Sequence, residues 1–178
     1  MKWLSIILCA GLVPFTVSCG GDDTSAPVGP IPSVIKDLAH KTDVLNNIEY
    51  AYNKRRGDVY DALLDNNFTF SYTPVGGGAP VQWGRDVEVT ATAGLLGDAT
   101  KIDMDITWED GVTWSEVTVG AESWFSTTLF YHYTIKIGDT TYIPSSGTKA
   151  KFTIRNAAAP GEKEHWELVE LSDLGVSQ

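Results

Sequence analysis

"NNIEYAYNKRRGDVYDALLDNNFTFSY", Asn46 to Tyr72, decides the fold, because its apolar period changes partway along. Upstream of Gly57, the residues Ile35, Leu38, Thr42, Leu45, Ile48 and Tyr52 recur at spacings of three and four. That is one face of a long amphipathic helix. Lys36, Asp37, Lys41, Asp43, Asn47 and Lys54 fall off that face. Ser33, behind Pro32, stands where a helix N-cap is expected, and Gly57 where a helix ends. Asp58 then caps a second, short helix, "VYDALLD", with Tyr60, Leu63 and Leu64 as its apolar side. Asn66-Asn67 reads as a turn. Beyond it the period drops to two: Phe68, Phe70 and Tyr72 alternate with Thr69 and Ser71, as in a strand.

Downstream, Gly76–Pro80 is loop. "WGRDVEVTATAGLLGDA", from Trp83, supports two readings. Val87, Val89, Ala91 and Ala93 alternate as a strand would, and β-branched content favours that. Val87, Ala91 and Leu95 instead lie at helical spacing. The remainder of the chain is β. Ile102, Met104, Ile106 and Trp108 alternate with Asp103, Asp105 and Thr107, and Asp110-Gly111 is a hairpin signal. "WFSTTLFYHYTIKI" is long and rich in aromatic and β-branched residues, and Gly138-Asp139 is a turn. Gly147 opens "TKAKFTIRN", "AAAPGEK" is loop, and "EHWELVELSDL" closes the domain. Helices first, then successive strands joined by turns, give an α+β domain with helices packed on one antiparallel sheet.

The opening stretch resembles the NTF2-like domains, the group that includes ketosteroid isomerase and the SnoaL-like polyketide cyclases. Long helix, Arg/Lys then Gly-Asp, short helix and Phe-rich strand follow in that family's order. The terminal "KAKFTIRN…HWELVELSDL" is similar to its last two strands. The resemblance covers most of residues 33–174 and implies an NTF2-like cone. In it a long N-terminal helix and two shorter helices pack on a curved antiparallel β-sheet, often with a pocket at the open end. It also implies a third helix after the first strand, which turns the ambiguous Arg85–Leu96 segment into helix. Dimerisation through the open sheet face is frequent in the family, so a homodimer is one expectation, favoured if that face is aromatic.

The domain begins at residue 33. Before it, Lys2 and the apolar run from Trp3 to Val17 form a charged n-region and an h-region. The run is too short to span a bilayer, which takes about 20 residues. Thr16-Val17-Ser18-Cys19 resembles a bacterial lipobox, with Thr16 where that pattern usually has leucine. The reading is a signal peptide over residues 1–18, with Cys19 lipidated; the plainer alternative is cleavage after Cys19 by an ordinary signal peptidase. Residues 19–32 form a Gly/Ser/Pro/Asp linker that reaches at most about 45 Å. Gly20 behind the cysteine resembles outer-membrane sorting, which places the expected location on the periplasmic face of the outer membrane. Cys9 leaves with the signal, so the domain, residues 33–178, has no internal disulfide.

The chain has 13 Lys+Arg against 23 Asp+Glu, a formal charge of −10. Loss of the signal removes Lys2 and no acid. Such a surface repels phosphate backbones, so nucleic acid is excluded as a partner. No Cys/His cluster has metal-ligand spacing, no GxSxG, HExxH, GxxxxGKS or GxGxxG occurs, and no cofactor is expected. For an isomerase-type reaction the candidates are Tyr52 as oxyanion donor, Asp103 or Asp105 as base, and His132. Each has a plainer reading. Tyr52 reads as a core aromatic, Asp103 and Asp105 as the solvated side of a strand, and His132 as a hydrogen-bonded structural residue. Trp108, Trp124, Tyr131 and Trp166 are candidates to line an apolar pocket. The leading expectation is a lipid-anchored, non-enzymatic domain binding a small apolar ligand or a protein partner. An enzyme of the SnoaL or isomerase kind, and a structural module without ligand, are the alternatives.

Overall fold

The computed structural model describes residues 35–74, 78–108, 111–120, 122–144 and 147–176. In chain order the elements are α1 (Lys41–Asn53), α2 (Gly57–Leu63), β1 (Leu64–Tyr72), β2 (Val81–Gly84) and α3 (Arg85–Asp98). They are followed by β3 (Lys101–Thr107), β4 (Ser115–Val119), β5 (Glu122–Ile137), β6 (Thr140–Tyr142), β7 (Thr148–Asn156) and β8 (Trp166–Val176). Among the described residues all eight strands belong to one sheet, in the order β2-β1-β8-β7-β5-β3, with β4 and β6 also paired to β5. β1 and β8 run parallel and every other pairing is antiparallel. Register shifts in the β1–β8 and β7–β8 ladders bend the sheet, as bulges do. The helices fill the concave side.

Side-chain alternation sorts the sheet into two faces. Phe68, Phe70, Ile102, Met104, Ile106, Leu129, Tyr133, Ile135, Phe152, Ile154 and Leu168 are buried on the inner face with Val44, Leu45, Ile48 and Tyr52 of α1. On the outer face Thr128, Phe130 and His132 of β5 are exposed, beside half-buried Lys149 and Lys151 of β7. That face is mostly Ser, Thr and Lys, with Phe130 and Trp124 as its aromatics on β5, and is not an aromatic sheet. Lys149 Nζ stands 4.6 Å from the Phe130 ring centre. Gly138, at φ 57°, makes the tight β5–β6 turn as the sequence predicts.

Several local expectations are corrected. The first helix starts at Lys41, not behind Ser33, which lies outside the described residues. Leu38 takes a left-handed φ of 60°, its carbonyl accepts from Trp166 N at 3.0 Å, and Ile35 is exposed. His40 N donates to Asp43 Oδ2 at 2.9 Å, which begins the helix there. Asn47, predicted to face solvent, is buried and holds the preceding segment. It accepts from Lys36 N at 2.7 Å and donates to Lys36 O at 2.9 Å. At the other end Arg55, at φ 53°, takes the left-handed position. Arg55 N bonds Tyr52 O and Arg56 N bonds Ala51 O, which is a Schellman closure. Gly57 instead opens α2, and Asp58 lies in that helix's first turn, paired with Arg56. Asn66-Asn67 is no turn between elements but an exposed kink inside β1, where Asn67 N bonds Asp65 Oδ1 at 2.7 Å.

The ambiguous segment is helix, as the resemblance implies. Its buried stripe is Glu88, Thr92 and Leu96, while Val87 is exposed, so the helix is turned by one residue from the apolar spacing of its sequence. The Asp110-Gly111 hairpin falls in part outside the described residues, and β4 begins just after Trp114.

Candidate functional site

A cavity opens between the helices and the inner face of the sheet. α1 contributes Ile48 and Tyr52, α2 Tyr60, β1 Phe70, and β3 Met104 and Ile106. β5 contributes Tyr131, β7 Ala150 and Phe152, and β8 Leu171 and Asp173. The cavity has a volume of about 30 Å³ and is open to solvent. It matches about two water-sized units. The wall is almost wholly carbon. The strand period explains this: Met104 and Ile106, Ala150 and Phe152, and Leu171 and Asp173 are successive inward positions on their strands.

Two polar clusters lie at its boundary. Behind Tyr60 stands Glu88, wholly buried on α3. Its carboxylate accepts from Tyr60 OH at 2.8 Å, Trp83 Nε1 at 2.7 Å and Thr92 Oγ1 at 3.1 Å. A buried carboxylate is tolerated only with such donors. Tyr52 OH lies beside the Thr92 and Tyr60 hydroxyls, and the Tyr52 and Tyr60 rings meet edge-on at 5.6 Å. Burial, and then the Glu88 charge, push both phenols up. Trp83 also stacks on Phe70 at 4.5 Å. On the opposite wall, Asp173 Oδ1 accepts from Gly175 N at 2.8 Å, and its carboxylate also accepts from Tyr131 OH. Burial raises the Asp173 carboxyl against those two bonds, and burial with the Asp173 charge raises the Tyr131 phenol.

A further acid lies outside the cavity. Glu49 on α1 is 4% exposed and accepts from Ile106 N. Burial, then the neighbouring charge of Asp105, push its carboxyl up to about 7. One turn on, Asn53 donates to Met104 O at 2.8 Å and accepts from Met104 N at 2.7 Å. Two α1 side chains thus occupy the free backbone edge of β3.

Of the residues singled out in the sequence, Tyr52 and Tyr131 line the cavity. Asp103 and Asp105 alternate with the inward residues of β3, and Asp105 is register partner to His132 on the outer face. Trp108 is half-buried against the core. Trp124 donates to exposed Glu122 at 2.9 Å. Trp166 is buried edge-on to Phe125, whose ring lies 3.3 Å from Lys41 Nζ. Cys19 lies outside the described residues. Sequence reasoning misses Asp173, Tyr60 and Glu88 as site residues. The signal for Asp173 is its spacing of two from Leu171; for Glu88 it is an acid placed four residues before Thr92. Among the described residues no three His, Cys, Asp or Glu side chains converge as metal ligands. No helix there is long and apolar enough to cross a membrane.

No protein-family model matches the chain, and no curated protein matches it. Solved structures do. A proposed aromatic ring hydroxylase from Novosphingobium aromaticivorans superposes with a TM-score of 0.57 at 11% identity, over 80% of this chain and 90% of that one. An NTF2-like protein of unknown function in nutrient uptake from Rhodospirillum rubrum gives 0.54 at 10% identity, over 75% and 96%. A proposed dehydratase of the NTF2-like family from Streptomyces avermitilis gives 0.50 at 13% identity, over 80% and 97%. The fold is NTF2-like. At these identities the likeness is one of fold, and function must be argued from the cavity.

Proposed function

We propose that this chain is a cell-envelope protein, anchored through acyl chains on Cys19, whose NTF2-like domain binds a small apolar ligand without transforming it. The observation that carries the reading is the carbon-walled cavity, whose polar groups are already engaged with one another. Such a wall contributes affinity through desolvation and packing and offers little for bond-making chemistry. An isomerase-type reaction would have to run through Asp173 beside Tyr131, since Asp103, Asp105 and His132 lie on outer positions of the sheet.

Native mass spectrometry of the full chain after exposure to envelope extract tests the binding reading. A retained small-molecule mass is expected, absent from Ala150→Leu, whose larger side chain fills the cavity. A bare mass for both proteins contradicts it. The anchor has a separate test. Cys19→Ser should leave the precursor unprocessed, and normal maturation of that variant would sink the lipoprotein reading. The address rests on the same sequence features: export, then retention at the periplasmic face of the outer membrane. Several acyl chains at about 0.8 kcal/mol per buried methylene hold a soluble domain at a bilayer.

A further inference from the structure

We propose that Asn67 is an N-glycosylation site, its carboxamide nitrogen taking an oligosaccharide from a polyprenyl diphosphate carrier as the chain is exported. This rests on the export reading of the N-terminus.

Asn67-Phe68-Thr69 is an Asn-x-Thr acceptor triplet. Asn46, Asn47, Asn53, Asn66 and Asn156 all lack a Ser or Thr two residues on. The middle residue, Phe68, is not proline, so the segment keeps the freedom to bend into a transferase. Asp65 stands two residues before the asparagine, where bacterial transferases of this class read an acid.

The fold gives the triplet an accessible place. The β1–β8 register passes from Leu64↔Leu168 directly to Thr69↔Glu170, and β2 joins β1 at Thr69. Residues 65–68 therefore have no register partner in either neighbouring ladder. They form the kink in β1, with Asn66 and Asn67 exposed and Phe68 anchored in the core. Asn47, Asn53 and Asn156 spend their carboxamides on backbone groups. Among the described residues no hydrogen bond holds the carboxamide of Asn67; its backbone N–H is tied to Asp65 Oδ1 at 2.7 Å. A bulky polar substituent at Asn67 thus breaks no side-chain bond and extends into solvent, as a glycan on a folded domain must.

Asp65 sets the order of events. Its carboxylate is buried and paired with Arg155, out of a transferase's reach in the folded domain. Transfer therefore precedes closure of that pair, on the chain as it emerges. In the step, Asn67 Nδ2 bonds to the anomeric carbon of the first sugar while that carbon's bond to the diphosphate oxygen breaks. The polyprenyl diphosphate leaves with the electron pair, and the amide nitrogen gives up one proton.

The test expresses the full chain in a bacterium that carries a periplasmic oligosaccharyltransferase of acidic-sequon type and its lipid-linked glycan. Mass spectrometry should find one added glycan, on the tryptic fragment of residues 57–85. Asn67→Gln and Thr69→Ala should lose it, while Asn66→Gln and Thr69→Ser keep it. Asn67→Gln should melt with the parent, since that side chain holds nothing. A processed chain without glycan, or a glycan that survives Asn67→Gln, overturns the proposal. Retention of residues 1–18 sinks the export reading instead. The same measurement on a chain carrying another periplasmic protein's leader in their place then decides the site: a glycan at Asn67 supports it, and a bare, processed chain overturns it.

Discussion

Glu49 is a carboxyl that titrates near neutrality at the edge of a sheet. Its ordinary value of 4.5 is pushed up to about 7 by burial and by Asp105, against the bond from Ile106 N. The folded chain holds that proton more tightly than the unfolded chain does. Its contribution to stability is therefore complete below about 4.5 and lost as pH rises through about 7. Urea unfolding should show Glu49→Gln matching the parent at pH 4.5 and exceeding it at pH 8, by up to about 3 kcal/mol. A parent and variant that lose stability in parallel across that range would contradict the assignment. This acid is invisible in the sequence because Glu at a helix position reads as solvated; its burial comes from the strand it faces. Asp173 is hidden for a related reason. A lone Asp near a chain end reads as surface, and only the β8 register places it opposite Ala150, inside the cone.

At the scale of elements, β3 is an edge strand made safe by α1. Asn53 satisfies both backbone groups of Met104, and Glu49 takes Ile106 N. Asn53→Ala leaves two backbone groups without those partners, at a cost of about 1–3 kcal/mol. Hydrogen exchange should show the Met104 amide losing protection while Ile154, in the sheet interior, keeps its own. Unchanged protection at Met104 would mean that the edge is covered some other way. Strand identity is legible in the sequence, since Ile102, Met104 and Ile106, and Phe68 and Phe70, face inward as their period predicts. The start of α1 is less so. Ile35 and Leu38 continue the helical spacing, yet Leu38's left-handed turn and the Asn47 strap override it. For α3 the residues support helix and strand alike, and the family resemblance decides between them. The helix then buries a stripe of Glu88, Thr92 and Leu96, which no apolar count selects.

At the scale of the whole molecule, a bent sheet and the helices α1 and α2 line a void, and ligand binding depends on whether that void is accessible. The tryptophans of the domain do not plug it. Trp83 stacks on Phe70, Trp166 packs beside Phe125, and Trp108, Trp114 and Trp124 are part-buried, none of them on the cavity wall. Composition reveals that the domain is rich in aromatics but not where they sit, because burial of one ring against another depends on pairings far apart in sequence. The most direct measurement is diffraction from a crystal of the protein pressurised with xenon, an apolar atom small enough for the space and one that apolar cavities bind. A xenon peak is expected among Phe70, Met104 and Phe152, and it should vanish in Ala150→Leu, where the added side chain fills the same space. A crystal with no xenon between those side chains would contradict the cavity, and with it the ligand-binding reading.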